Sequence, residues 1–250
     1  MSSTNPLNPH TAEKPLAKHV ALVTGGSRGI GKAIALRLAS LGASVAACGR
    51  DSNALRQTES ELKDLDVSAL AQVADVTNAR DVAALVDAVQ QKLGPITALV
   101  NNAGMGLFGP AHEKNEEEWD RLMDTNLKSV FLVSKAVVPS MIERKAGDIV
   151  NVSSLAGKNT FAGGGVYCAS KWGLMGLTGC MAEDLRGFGI RVMAICPGSV
   201  ATEFSGRGPK DASKVLTAED VAHAVAMVLL QGPQSFISEV HLRPLAKPGK

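Results

Sequence analysis

From His19 onward, short continuous apolar runs alternate with stretches in which apolar residues recur at helical spacing. Val20-Ala-Leu-Val-Thr24 has the length and content of a buried strand, and Ile30 to Leu41 carries a helical apolar stripe that stops at Gly42, a natural residue just past a helix end. The same alternation predicts strands at Ser44–Cys48, Ser68–Val73, Ile96–Val100, Asp148–Val152, Ile190–Ile195 and near Phe236–Leu242. Helices are expected over Asn53–Leu65, Asn78–Leu93, Glu117–Thr125, Lys128–Arg144, Tyr167–Phe188 and Ala218–Leu230, the last with Thr217 as its N-cap. Strands joined by crossover helices in this rhythm imply an α/β chain with a doubly wound, mostly parallel seven-stranded sheet, helices on both faces and ligands outside the C-terminal strand ends.

At 250 residues the chain is long enough to bury the core of one such domain. The rhythm never breaks, which places residues 18–250 in a single domain. Residues 1–17 are polar and punctuated by proline, lack the apolar centre of a secretory signal, and are expected as a mobile tail. Net charge is +2, with 26 Lys and Arg against 24 Asp and Glu and no run of like charges, so small molecules are the expected partners rather than nucleic acid or an anionic membrane. No apolar run approaches the roughly eighteen residues that cross a bilayer. Cys48, Cys168, Cys180 and Cys196 show no Cys-x-x-Cys pairing, which argues against a metal site or a disulfide framework and for reduced thiols in a cytoplasm.

Two stretches carry candidate chemistry. The first strand runs into Thr24-Gly-Gly-Ser-Arg-Gly-Ile-Gly31, where glycines let the backbone turn tightly and approach a pyrophosphate, whose charge the start of the next helix then meets. A strand–helix turn of purely structural purpose is the alternative. The second is Tyr167-Cys-Ala-Ser-Lys171, which holds the only tyrosine of the chain. On a helix its phenol and the Lys171 ammonium share a face, and a cation held beside a phenol lowers its pKa from about 10 toward a working pH. An exposed tyrosine and a solvated lysine would show the same spacing.

Taken with Asp75-Val76, Asn101-Asn-Ala-Gly104, Asn126, Ser154 and Pro197-Gly198, these stretches stand in a fixed order, and over about residues 18 to 230 the chain resembles the classical short-chain dehydrogenase/reductase family. The resemblance implies a Rossmann-type domain and an oxidoreductase that transfers hydride between a nicotinamide cofactor and a carbonyl or alcohol substrate. In it Tyr167 is the acid–base, Lys171 lowers its pKa and holds the nicotinamide ribose, Ser154 polarises the substrate carbonyl, and Asn126 anchors a water that relays protons to Lys171. Cofactor contacts are implied for Gly25, Ser27, Arg28, Gly29, Ile30 and Gly31, for Asp75, which accepts from the adenine amino group, and for Val76. They are implied also for Asn102, Ala103 and Gly104, with Asn101 structural, and for Pro197, Gly198, Val200 and Thr202 around the carboxamide. A homodimer or homotetramer through Lys128–Arg144 and Tyr167–Phe188 is implied as well.

The second strand ends in Gly49-Arg50, where an NAD enzyme would carry a ribose-binding acid. Arg50 offers a planar fork of donors to a 2′-phosphate, and the resemblance implies that Arg28, as in NADP-dependent relatives, approaches the same phosphate from the glycine turn, so NADP(H) is the expected cofactor. The chain departs from the family's longer substrate lids: only Glu203–Thr217 follows Pro197-Gly198 before the next helix, and Ser205–Ser213 is polar, which argues against a large hydrophobic substrate such as a steroid. Glu239-Val-His-Leu-Arg-Pro244 replaces the Val-x-Gly-Gly ending of acyl-carrier-protein reductases and looks more like members acting on small 3-hydroxy acids, serine or aldehydes. His112 and His223 are expected as surface or core residues, and Trp119 and Trp172 as packing residues. The rival readings are a catalytically silent NADP-binding redox sensor, disfavoured by the presence of Ser154, Tyr167 and Lys171, and an epimerase or dehydratase of the extended family.

Overall fold

The computed structural model describes residues 14–202, 204 and 214–246. Its strands are β1 (Val20–Thr24), β2 (Ser44–Gly49), β3 (Ala69–Val73), β4 (Ala98–Asn101), β5 (Gly147–Val152), β6 (Ile190–Pro197) and β7 (Glu239–Leu242). They form one seven-stranded sheet in the order β3-β2-β1-β4-β5-β6-β7, every neighbouring pair parallel. The chain winds outward from β1 to β3, then returns past β1 to start the second half at β4. This is the doubly wound, Rossmann-type arrangement expected from the alternation.

Successive side chains of a strand point to opposite faces, so a central parallel strand needs cover on both. Ala21 and Val23 join Ile34 and Leu38 of α1 (Gly29–Ser40) and Val221 and Val225 of α7 (Ala218–Leu229). Leu22 instead joins Val82 and Leu85 of α3 (Ala79–Leu93), Val133 and Val137 of α5 (Ser129–Arg144) and Leu185 of α6 (Gly165–Leu185). The remaining helices are α2 (Ser52–Lys63) and α4 (Glu116–Met123). Asp51, Asn78, Asn115 and Thr217 accept hydrogen bonds from the first N–H groups of α2, α3, α4 and α7, which is why those helices begin where they do. Gly42, at φ +95°, turns the chain out of α1.

Several details differ from the sequence expectations. Leu16, inside the stretch expected as a tail, is only 2% exposed, and its N–H donates to the Leu41 carbonyl at 2.9 Å. The expected break near Asn126 is a single π-helical turn, Asp124–Lys128, joining α4 to α5. The last strand begins at Glu239 rather than near Phe236, and β6 runs on to Pro197. Trp119 and Trp172, expected as packing residues, are 44% and 50% exposed. Cys48, Cys168 and Cys196 are buried free thiols, whereas Cys180 is exposed. Among the described residues no helix is long and apolar enough to cross a membrane. The polar stretch Ser205–Ser213 and the first thirteen residues lie outside the described residues.

Candidate active site

The C-terminal ends of the strands open into one cleft of about 1890 Å³, where the chain reverses between β1 and β4. Its floor is the glycine turn. Gly25 and Gly29 hold φ values of +65° and +53°, and a Cβ on Gly31 would lie 2.1 Å from the Gly25 carbonyl oxygen, so the turn folds down on the helix as no larger residue allows. Thr24 and Asn102 fix it from below. The Thr24 hydroxyl accepts from the N–H groups of Asn102 and Ala103, each at 3.0 Å, while Asn102 Nδ2 donates to the carbonyls of Thr24 and Gly25 at 3.0 and 3.3 Å. Both Asn102 donors are thus committed to the turn. Unlike α2, α3, α4 and α7, helix α1 has no side-chain cap, and Gly29, Ile30 and Gly31 at its start line the cleft. Uncapped N–H groups with the positive end of a helix dipole suit a phosphate anion, so the residues present fit a dinucleotide.

At one end of the cleft Arg50 is exposed beside Asp75, with Ser27 and Val76 in the same wall. Burial opposes ionisation of Asp75, but hydrogen bonds from the Thr77 N–H and hydroxyl, at 2.9 and 2.8 Å, together with the Arg50 charge hold its carboxyl below the usual range. One Asp75 oxygen therefore closes the turn that leads into α3. On the opposite rim the Gly198 N–H donates to the Leu242 carbonyl at 2.9 Å, and the segment through Val200 leans back until Thr202 Cγ2 lies 3.5 Å from where a Gly29 Cβ would be.

Between these ends Ser154, Tyr167 and Lys171 share one wall, with Asn126 behind them. Tyr167 and Lys171 lie one turn apart on α6, the Lys171 Nζ 6.0 Å from the phenol ring centre and donating to the Val152 carbonyl at 3.1 Å. Ser154 follows β5, and its hydroxyl caps a short 3₁₀ turn by accepting from the Ala156 N–H at 3.1 Å. The π turn swings Asn126 inward to 1% exposure. There its carboxamide accepts from the Met105 N–H at 2.8 Å and donates to the Met105 carbonyl at 2.9 Å and to Ser170 Oγ at 3.1 Å. A Cβ on Gly104 would come 3.3 Å from Asn126 Oδ1 and 3.9 Å from Lys171 Nζ, so the Asn101–Gly104 segment lies directly against this group.

The charge states correct the expectation drawn from spacing alone. Burial pushes the Tyr167 phenol up to about 12, the Ser154 hydrogen bond pulling the other way and Cys168 adding to the rise. Burial likewise lowers Lys171 to about 8. In the ligand-free chain desolvation is the largest influence on each group, and both are driven toward their neutral forms.

Sequence reasoning missed the supports of this site. Thr24 and Ser170 were not singled out, nor was the buried chain in which Asn101 Nδ2 donates to Asn151 Oδ1 at 2.9 Å and to Ser134 Oγ at 3.3 Å, with Asn151 Nδ2 donating to Thr178 Oγ1 at 2.9 Å. Asn101 and Asn151 stand in register on β4 and β5, and a polar residue in each of two otherwise apolar runs was the available signal. Phe108, Phe161 and Phe204 were also overlooked, although all three line the cleft beside Tyr167.

The model of the short chain dehydrogenase family matches residues 19–212. The chain belongs to that family. Among its relatives, the 2-(S)-hydroxypropyl-CoM dehydrogenase 3 of Xanthobacter autotrophicus is 37% identical over 230 residues, covering 86% of this chain and 90% of that protein. A ketoacyl reductase of granaticin polyketide synthesis from Streptomyces violaceoruber, named as putative, is 41% identical over 208 residues, covering 82% and 75%. The crystal structure of a metagenomic short-chain oxidoreductase in complex with NADP superposes with a TM-score of 0.83 at 43% identity, covering 93% of this chain and all of that one. This short chain dehydrogenase is an oxidoreductase that interconverts carbonyl and alcohol groups with NAD(P).

Proposed function

We propose that this short chain dehydrogenase works with NADP(H), and that Tyr167 exchanges the proton with the substrate oxygen while Ser154 hydrogen-bonds the same oxygen. Its main support is that Ser154, Tyr167 and Lys171 line one wall of the cleft, with Lys171 one helical turn from Tyr167 and Ser154 close enough to ease ionisation of the phenol. A carbonyl oxygen entering between the two hydroxyls would accept from both. The bound nicotinamide supplies or accepts the hydride at the substrate carbon. Gly25 to Gly31, the first turn of α1, Asp75-Val76, Ala103-Gly104 and Pro197 to Thr202 would hold the cofactor. Lys171, half-way to neutrality near pH 8, sits where it can relay the proton that Tyr167 gives up, and Asn126 keeps Met105 and Ser170 in place behind it.

The choice of NADP(H) is supported by Arg50 at the end of β2 beside Asp75, by Arg28 in the glycine turn and by the absence of an acid at Gly49-Arg50. Buried free Cys48, Cys168 and Cys196 suit a reducing compartment such as the cytoplasm. A dimer or tetramer through α5 and α6 is supported by Phe131 and Trp172, 48% and 50% exposed on those helices; a monomeric mass in solution at micromolar concentration would remove this part of the reading.

The test is Tyr167→Phe against a panel of ketones, aldehydes and hydroxy acids followed by NADPH absorbance. Turnover should fall by about a hundredfold or more, the usual worth of a positioned general acid, while NADPH affinity stays near that of the wild type. Retained turnover would overturn the role given to Tyr167.

A further inference from the structure

Phe108 and Phe204, from distant parts of the sequence, both meet the chain's only tyrosine, and Phe161 packs on Phe108; together they are half of the chain's 6 phenylalanines. Phe108 meets Tyr167 edge-on at 5.3 Å between ring centres, Phe204 meets it edge-on at 6.0 Å, and Phe161 lies 6.2 Å from Phe108. Glycines make room for them. A Cβ on Gly106 would come 2.8 Å from the Phe108 ring and 3.0 Å from that of Phe204, and one on Gly164 would come 2.6 Å from Phe161. The three rings are 41%, 49% and 42% exposed, and all of them line the cleft at its Ser154 and Tyr167 end.

Large apolar side chains left half in water beside a reactive group mark a surface that a ligand covers. Rings tilted at 43° to 64° to one another present edges and faces together, which is the arrangement another aromatic ring packs into most favourably. The neighbouring polar side chain, Asn159, donates to the Leu155 carbonyl at 3.1 Å and so is engaged within its own turn.

We propose that Phe108, Phe161 and Phe204 form an aryl subsite, which selects carbonyl substrates carrying a planar aromatic group next to the reacting carbon over aliphatic ones of equal size. The subsite rests on the reading of Tyr167 as the residue that meets the substrate oxygen. It departs from the small 3-hydroxy acids, serine and aldehydes that the chain's ending suggested.

The experiment compares acetophenone with cyclohexyl methyl ketone, which have equal carbon counts, in the wild type and in Phe108→Leu, Phe161→Leu and Phe204→Leu. The two ketones keep the same intrinsic reactivity in every variant, so a change in the ratio of their kcat/KM values reports the subsite alone. Each substitution should lower the aryl preference by about two- to tenfold, the worth of one aromatic pair. In parallel, calorimetry measures binding of 1-phenylethanol and 1-cyclohexylethanol to the wild type and the three leucine variants, each saturated with NADP+. Tighter binding of the phenyl alcohol, together with ratios that fall in the variants, supports the subsite. Selective phenyl binding that the leucine substitutions abolish supports it even where Tyr167→Phe remains active and the assignment of Tyr167 fails. Equal affinity for the two alcohols, or ratios unchanged in all three variants, overturns it.

Discussion

Lys171 is 4% exposed, and its ammonium donates to the Val152 carbonyl at 3.1 Å. Burial lowers its pKa from 10.5 to about 8, so the folded chain binds this proton more weakly than the unfolded chain does. Between those two values the unfolded state holds more protons, and stability rises with pH; below about 8 the folded state carries the whole cost of a buried cation. That cost is on the order of 3 kcal/mol. Lys171→Met keeps the apolar stem and removes the charge, but it loses a hydrogen bond worth roughly 1 kcal/mol. The variant should therefore be about 2 kcal/mol more stable than the wild type at pH 7, and the gain should shrink steadily as pH approaches 10. Urea unfolding of the cofactor-free protein at a series of pH values, with the slope held common, reads this directly. The same substitution should remove turnover, as expected where a charge is kept for chemistry against stability. A Met variant less stable at pH 7, or a difference that does not change between pH 7 and 10, would refute the reasoning.

Since Tyr167 is the only tyrosine, phenolate absorbance follows it alone. In the cofactor-free protein its midpoint should lie above 10, toward about 12, and Ser154→Ala should raise it further because a bond favouring the phenolate is lost; a midpoint at or below 10 would contradict the burial argument. The linked stability is present below the unfolded value of 10.0 and is lost as pH climbs toward about 12. Arg50→Ala should weaken NADPH binding about ten- to a hundredfold, as loss of a charge-assisted pair does, and leave NADH binding nearly unchanged; dissociation constants that rise equally for both cofactors would show that Arg50 does not read the 2′-phosphate.

The sheet was legible because its signals are local. β1 was placed to the residue, since Val20–Thr24 is an unbroken apolar run between a basic, polar approach and a glycine turn, and α3 and α7 start where Asn78 and Thr217 offer a side-chain oxygen. β7 was the least well bounded, because an edge strand covered only in part carries a weak pattern; its residues run exposed, intermediate, exposed, intermediate. The π turn at Asn126 was visible only as a residue out of place in a helix. What settles the geometry is Met105 and Ser170, brought up from other parts of the chain. The sign of the Tyr167 shift was misjudged for a related reason: spacing reveals that a cation stands near a phenol, but not that both lose their water. The phenylalanines escaped notice because Phe108, Phe161 and Phe204 share no spacing and meet only in three dimensions.

Folding alone would select against each of the features gathered in this cleft. A buried lysine and a buried phenol both resist ionisation, α1 begins without a cap, three phenylalanines stand half in water, and Ser153 Oγ is the one buried side-chain polar atom without a hydrogen-bond partner among the described residues. Any one of them has an ordinary explanation at an isolated position. Exposed rings also stand outside the cleft, at Trp119, Phe131, Trp172 and Phe188, and α6 too begins without a side-chain cap, but in this cleft such features share one lining with a buried ionisable pair and the unpartnered Ser153 hydroxyl. Sequences break their own rules where binding or chemistry requires it. Three sets of groups lining the cleft would each suit a ligand: phosphate for the N–H groups of α1, a carbonyl oxygen for the hydroxyls of Ser154 and Tyr167, and an aromatic ring for the phenylalanines. The order in which these lie along the cleft is the order in which a dinucleotide and an aryl ketone would have to be laid end to end.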